Sequence, residues 1–104
     1  MQDSKAKAIA CLQTNVRIVS DAIAAGNTSE ARKQLLKDLE VARTWNIIKD
    51  YTNMKYCDSV DTNKSKKKDD VSSCVQQFNV RLADETSKLG QNDATMKMLQ
   101  KIIN

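Results

Sequence analysis

The cysteines are the residues of this chain whose chemistry is easiest to infer from their spacing. Cys57 and Cys74 flank one polar segment, and we predict that a disulfide joins them. In the chain-entropy model a cross-link over such a segment contributes about 3 kcal/mol to stability. Cys11 is predicted to be an unpaired core residue, because helical rise places it level with Trp45 and not with Cys57. The alternative is three buried free thiols in a cytosolic protein.

Other side-chain chemistry is sparse. The chain has no histidine, so it lacks the commonest general base near neutral pH and every Cys–His or Ser–His–Asp arrangement. Asp84 and Glu85 are adjacent, and adjacent residues on a helix point about 100° apart. Two glycines cannot form a glycine-rich phosphate loop. The cysteine spacing matches no zinc motif, and residues 61–72 lack the glycine and glutamate of a calcium loop. We therefore expect no enzyme, no metal site and no cofactor.

The charge pattern contains one basic block. Lysine and arginine total 17 against 13 acidic residues, for a net charge of +4. The block comprises Lys64, Lys66, Lys67 and Lys68, and aspartates bracket it on both sides. Short lysine blocks between acids usually keep a loop solvated, so we do not expect nucleic acid binding. A basic binder of nucleic acid or of an anionic surface stays open as an alternative.

Composition predicts an all-α fold. No proline and only two glycines leave no turn residues for a sandwich or barrel. We predict one domain over residues 1–104, an antiparallel bundle of three to four helices at about 4–25, 29–57, 70–89 and 93–103. Gly26 and Gly90 are predicted to end the first and third helices. Residues 58–68 lack periodicity and are predicted to form a long mobile loop.

Apolar periodicity predicts which faces are buried. The first helix carries a stripe that steps by three and four residues: Ile9, Leu12, Val16, Val19 and Ile23. The stripe of the second helix is predicted to include Val41, Trp45 and Ile48. Its 29–57 span would make a rod of roughly 42 Å against about 33 Å for the first helix. The second helix should therefore project beyond the first.

The second half of that long helix is the predicted partner-binding surface. Ile47, Tyr51 and Met54 recur at helical spacing on a face beside the inward stripe. With Trp45 and Tyr56 they make the rod apolar on more than one face, and aromatic residues are favoured as interface anchors. The alternative is that the short last helix covers this face.

Location and function are inferred from these features together. A disulfide predicts a periplasmic or secreted protein, whereas free cysteines would predict a cytoplasmic one. No apolar run is as long as a membrane span. The sequons at Asn27 and Asn63 lie in predicted loops, the placement that glycosylation of a secreted protein requires. We expect a small extracytoplasmic protein that acts by stoichiometric protein–protein binding, such as an inhibitor, an immunity protein or a secretion-complex adaptor. A homodimer and a carrier of a small apolar ligand stay open.

Overall fold

The computed structural model describes the backbone of residues 2–103 and the side chains of residues 4–88. It contains four α-helices: α1 (Gln2–Ala24), α2 (Thr28–Thr44), α3 (Lys55–Asp61) and α4 (Lys68–Ile103). A short 3-10 turn, Tyr51–Asn53, lies between α2 and α3. Over these described residues there is no strand. The predicted all-α bundle is confirmed.

As predicted, a glycine ends α1 at the turn that leads into α2. Gly26 adopts a φ of 85°, in the left-handed region that glycine enters without strain. The Gly26 N–H donates to Ile23 O at 3.0 Å and the Asn27 N–H to Ala22 O at 2.8 Å. These two bonds form a Schellman motif that satisfies the last carbonyls of α1. α1 and α2 therefore form an antiparallel hairpin.

The same motif ends α2 much earlier than predicted. Asn46 has a φ of 58°, its N–H donates to Arg43 O, and the Ile47 N–H donates to Ala42 O. Asparagine tolerates this conformation better than other non-glycine residues. The predicted single helix over 29–57 is wrong, and so is the projecting rod of roughly 42 Å that it implied. Residues 45–54, named here the connection, instead fold back onto the bundle.

A third end of this kind shortens the predicted loop. Asn63 has a φ of 66°, its N–H donates to Val60 O, and the Lys64 N–H donates to Ser59 O. Residues 58–61 therefore belong to α3, and Lys68 is the first residue of α4. Between α3 and α4 only residues 62–67 are non-helical, so the bounds predicted for this loop, 58–68, are wrong at both ends.

α4 is one helix from Lys68 to Ile103, so the predicted break at Gly90 is wrong. A single glycine in a helix costs only about 1 kcal/mol relative to alanine and does not oblige the chain to turn. Four apolar residues predicted for a separate last helix have side chains outside the described residues: Met96, Leu99, Ile102 and Ile103. No helix among the described residues is long and apolar enough to cross a membrane.

The core lies where α1 packs against both α2 and α4, and it extends to α3, which packs on α4. The predicted stripe of α1 is buried at all five positions, Ile9, Leu12, Val16, Val19 and Ile23. The connection adds Ile47, Ile48 and Met54, all buried. Ile48 was predicted to face inward and does so. Val41 and Trp45, also predicted to face inward, are 41% and 40% exposed.

Candidate interaction surfaces

The predicted disulfide ties α3 to α4. Cys57 and Cys74 are bonded with an S–S distance of 2.05 Å, and both residues are fully buried. They join the middle of α3 to the first turns of α4. The bond sits at the base of the segment that carries the four lysines.

A polar cluster beside the disulfide holds α3 against α2. The Tyr51 hydroxyl donates to Asp61 Oδ2 at 2.9 Å, and Arg43 Nη1 lies 3.4 Å from the same oxygen. The Arg43 guanidinium also stacks over the Tyr51 ring at 4.4 Å, a cation–π contact. Burial, and secondly the Asp61 carboxylate, raise the pKa of Tyr51, which therefore stays protonated. Tyr51 thus links α2 to α3 within the fold, although its spacing in the sequence predicted that it contacts a partner.

The predicted partner-binding residues are divided by the turn at Asn46. Ile47 is 2% exposed and Met54 is fully buried, so neither is available to a partner in this fold. Tyr51 is half-buried in the cluster just described. Trp45 and Tyr56 remain exposed, at 40% and 46%. The structure does not bring the five residues together on one face.

Trp45 is instead one of four exposed residues, three of them large and apolar, that are placed along the seam between α1 and α2. Asn15 of α1 donates to Asp38 Oδ1 of α2 at 3.1 Å, which fixes the register of the two helices. Cys11 and Ile18 lie one turn on either side of Asn15, while Val41 and Trp45 lie one and two turns after Asp38. We call the exposed residues of this seam the hairpin face: Cys11, Ile18, Val41 and Trp45.

Cys11 is free and exposed, so the prediction that it is unpaired is confirmed and the prediction that it is a core residue is wrong. The sequence contained the signal for this correction. Cys11 lies beside Leu12 and two positions after Ile9, off the stripe that steps through both residues. A residue in that position faces the flank of the helix and not the core.

Asp38 is a buried carboxylate at the centre of the hairpin seam. It is 2% exposed, and Asn15 and Gln34 both donate to Oδ1, the latter at 2.9 Å. Oδ2 is buried without a hydrogen-bond partner. Burial raises the pKa of Asp38, and the two donated hydrogen bonds only partly oppose this. Sequence periodicity did not identify this residue, because an aspartate next to the buried Leu39 is expected on the solvent-exposed side of the helix.

The four predicted basic residues are all exposed. Lys64, Lys66 and Lys67 lie in residues 62–67, and Lys68 opens α4. We call these four residues the lysine loop. It is connected to α2, because Arg32 Nη2 donates to Val60 O and to Asn63 Oδ1, each at 2.9 Å.

The opposite flank of α1 carries a groove shared with α4. Its lining is Gln13, Val16, Arg17, Ser20, Asp21 and Asn79, with Val16 as the one apolar side chain. An apolar ligand gains little from such a lining, because ligand pockets are predominantly hydrophobic with few polar groups. The groove therefore does not favour the carrier alternative.

No protein-family model, curated protein or solved structure matches this chain. The surfaces of the molecule are therefore interpreted from their own chemistry.

Proposed function

We propose that this protein acts outside the cytoplasm by stoichiometric binding to another protein, as an inhibitor or an assembly adaptor does, and that the hairpin face is the binding surface. The observation that carries the proposal is the exposure of three large apolar side chains along one seam. Trp45 is 40% exposed, Val41 41% and Ile18 55%. They are three of the five large apolar residues exposed among the described side chains.

The chemistry of the hairpin face fits a protein partner. Tryptophan is enriched among the residues that dominate binding energy, and flanking aliphatic side chains exclude water around it. Several exposed apolar residues along one seam are more informative than isolated ones, because single exposed apolar residues are normal on any surface. Val80, 64% exposed on the outer side of α4, is such a single residue.

The disulfide supports the extracytoplasmic part of the proposal. Structural disulfides persist in oxidising compartments and are rare in the cytosol. Both cysteines of the bond are fully buried, as expected for a structural cross-link. The exposed thiol of Cys11 lies on the hairpin face itself and provides a chemical handle for testing it.

Chemical cross-linking in an extracytoplasmic extract, followed by mass measurement of the adduct, tests the proposal. We expect an adduct of one chain with one partner. Trp45→Ala should weaken binding by about tenfold or more, the effect of losing an aromatic anchor. Val80→Ala is the matched control and should leave binding unchanged. Circular dichroism should show both variants folded, since both side chains are exposed.

Blocking Cys11 gives an independent readout. A bulky maleimide on Cys11 should prevent formation of the adduct, because it covers the hairpin face. The same maleimide on Val80→Cys in a Cys11→Ser background should not. Equal binding by all of these proteins would refute the hairpin face as the site. If light scattering gives the mass of two identical chains, the binding partner is a second copy of this chain and not another protein.

A further inference from the structure

The lysine loop is more ordered than its sequence indicates. The Ser59 carbonyl accepts from the Lys64 N–H at 2.9 Å and from the Ser65 N–H at 3.1 Å. The Ser65 hydroxyl donates to Asp70 and accepts from the Lys67 N–H at 3.3 Å. Arg32 holds Asn63, and the disulfide holds the base of the segment. The backbone between α3 and α4 is thus held at several points before any partner binds.

The aspartates beside the loop form no ion pair with its lysines. Asp61 is paired with Arg43 and accepts from Tyr51, and Asp70 accepts from Ser65. Among the side chains that the structure describes, no ion pair involves any of the four lysines. The four ammonium groups are therefore exposed and not engaged in an ion pair, so they are available to contact an anion.

From this arrangement we infer that the lysine loop binds a short acidic segment of a protein partner. A backbone that is already ordered reduces the entropy lost on binding, which is the main penalty for a flexible charged loop. The ammonium groups of four neighbouring lysines can each approach a separate carboxylate. Such contacts also raise the rate of association by electrostatic steering.

The surroundings of the loop favour a short segment over an extended polyanion. Asp58 and Asp69 are exposed on either side of the lysines, and they repel an anion that continues past the loop. A nucleic-acid duplex presents one charge per about 1.7 Å, and an anionic bilayer presents a continuous negative surface. Both would extend past the lysines to Asp58 and Asp69, whereas a short acidic segment would not. Residues 62–68 also contain no aromatic side chain on which an unpaired base could stack.

The lysine loop is a surface separate from the hairpin face. The four lysines lie at 64–68, after α3, whereas the hairpin face lies on α1 and around the C-terminal end of α2, so the two surfaces share no residue. The inference therefore adds a second contact to the proposed function without depending on the first. Either surface can fail in experiment while the other stands.

Fluorescence anisotropy with a labelled peptide of alternating glutamate and serine tests the inference on the full chain. We expect saturable binding that weakens several-fold between about 50 and about 300 mM salt, where screening shortens the range of these charges. Lys66→Gln/Lys67→Gln should raise the Kd at least about fivefold, a loss consistent with two charge contacts. Lys7→Gln/Lys37→Gln removes the same charge from exposed helix positions and should change the Kd less than twofold.

Three results would overturn the inference. An equal effect of the two double variants would show that net charge, and not the loop, attracts the peptide. Tighter binding of an oligonucleotide of the same charge would assign the loop to nucleic acid. Tighter binding of phosphatidylserine vesicles than of the peptide would assign it to a membrane surface. Circular dichroism distinguishes each result from unfolding of a variant.

Discussion

Asp38 is the residue at which packing and electrostatics conflict most directly. Its carboxylate lies in the seam of the hairpin, 2% exposed, with one oxygen hydrogen-bonded and the other unpartnered. Burial raises its pKa above that of an unfolded aspartate, which is about 3.9. Between the two pKa values the folded state binds more protons than the unfolded state. Asp38 therefore lowers the free energy of unfolding as the pH rises through this window.

Asp38→Asn should consequently gain stability relative to the unsubstituted protein as the pH rises. The amide keeps an oxygen for Asn15 and Gln34 and carries no charge to desolvate, while its NH2 group takes the place of the unpartnered Oδ2 at a cost that is the same at every pH. We expect the difference in the free energy of unfolding, variant minus unsubstituted protein, to be higher near neutral pH than near pH 3 by on the order of 1 kcal/mol. Near pH 3 the aspartate is itself protonated, so this gain should be absent there. Urea denaturation followed by circular dichroism at both pH values measures this.

The matched control for Asp38 is Asp21→Asn, an exposed aspartate of α1. It should change stability little at either pH, since exposed substitutions are usually within about 0.5 kcal/mol. A variant that loses stability relative to the unsubstituted protein as the pH rises from about 3 to neutral would contradict the prediction. That result would mean that the charged carboxylate stabilises the hairpin.

At the scale of elements, one backbone motif ends three helices. Gly26, Asn46 and Asn63 all have positive φ. In each case the N–H of this residue and the N–H of the next residue donate to carbonyls of the last turns of the helix. Glycine was recognised from sequence, because it is the usual residue in this conformation. The two asparagines were not recognised, because asparagine is a weaker signal and also occurs within helices. This difference accounts for the errors at the ends of α2 and α3.

Substitutions at Asn46 should show that its conformation ends α2. Asn46→Ala puts a Cβ-bearing residue without local hydrogen bonding in the left-handed region, and should lower the free energy of unfolding by about 1 kcal/mol. Asn46→Gly should leave it unchanged or raise it. Asn79→Ala, at an exposed position inside α4, is the control and should not destabilise. Urea denaturation ranks the three proteins; equal stability of the Ala and Gly variants would contradict the role assigned to Asn46.

The disulfide acts at the same scale, because it joins two helices across the lysine loop. Replacement of Cys57 and Cys74 by serine should lower the free energy of unfolding by about 3 kcal/mol. Cys11→Ser should change it by less than about 0.5 kcal/mol, because Cys11 is exposed. Alkylation followed by mass spectrometry should count one free thiol before reduction and three after it. Three free thiols in the unreduced protein would show that Cys57 and Cys74 are not bonded, and the argument for an oxidising compartment would then be lost.

At the scale of the whole molecule, ion pairs from α4 hold the connection in place. Arg81 of α4 contacts both carboxylate oxygens of Asp50, at 2.7 and 3.1 Å, and lowers the pKa of Asp50. Glu85 is 5% exposed and lies within 4 Å of Lys5, Lys49 and Lys88. These lysines belong to α1, the connection and α4, so one carboxylate joins three parts of the chain.

Removing the charge of Glu85 should therefore destabilise the fold more than a neighbouring change does. Glu85→Gln leaves Lys5 partly buried beside a neutral amide, and we expect a loss of about 1 to 3 kcal/mol in the free energy of unfolding. Asp84→Asn alters an exposed acid whose ion pair is with Lys88 alone. Its loss should stay below about 0.5 kcal/mol. Comparable losses for both variants, measured by urea denaturation, would show that the three-way contact of Glu85 contributes little.

The sequence by itself determined the helical class, the buried stripe of α1, the turn at Gly26 and the pairing of Cys57 with Cys74. These features depend on local composition, on spacing along one helix, or on two cysteines that flank one segment. Tertiary structure decided where α2 ends and which apolar residues near that end are exposed. Helical periodicity alone allowed α2 to continue, because Ile47, Tyr51 and Met54 recur at helical spacing. The turn at Asn46 is favoured instead because it allows Ile47, Ile48 and Met54 to be buried in the core. The spacing of residues within a single helix does not reveal this gain in free energy. The same turn leaves Trp45 on the hairpin face, where we propose that the partner binds.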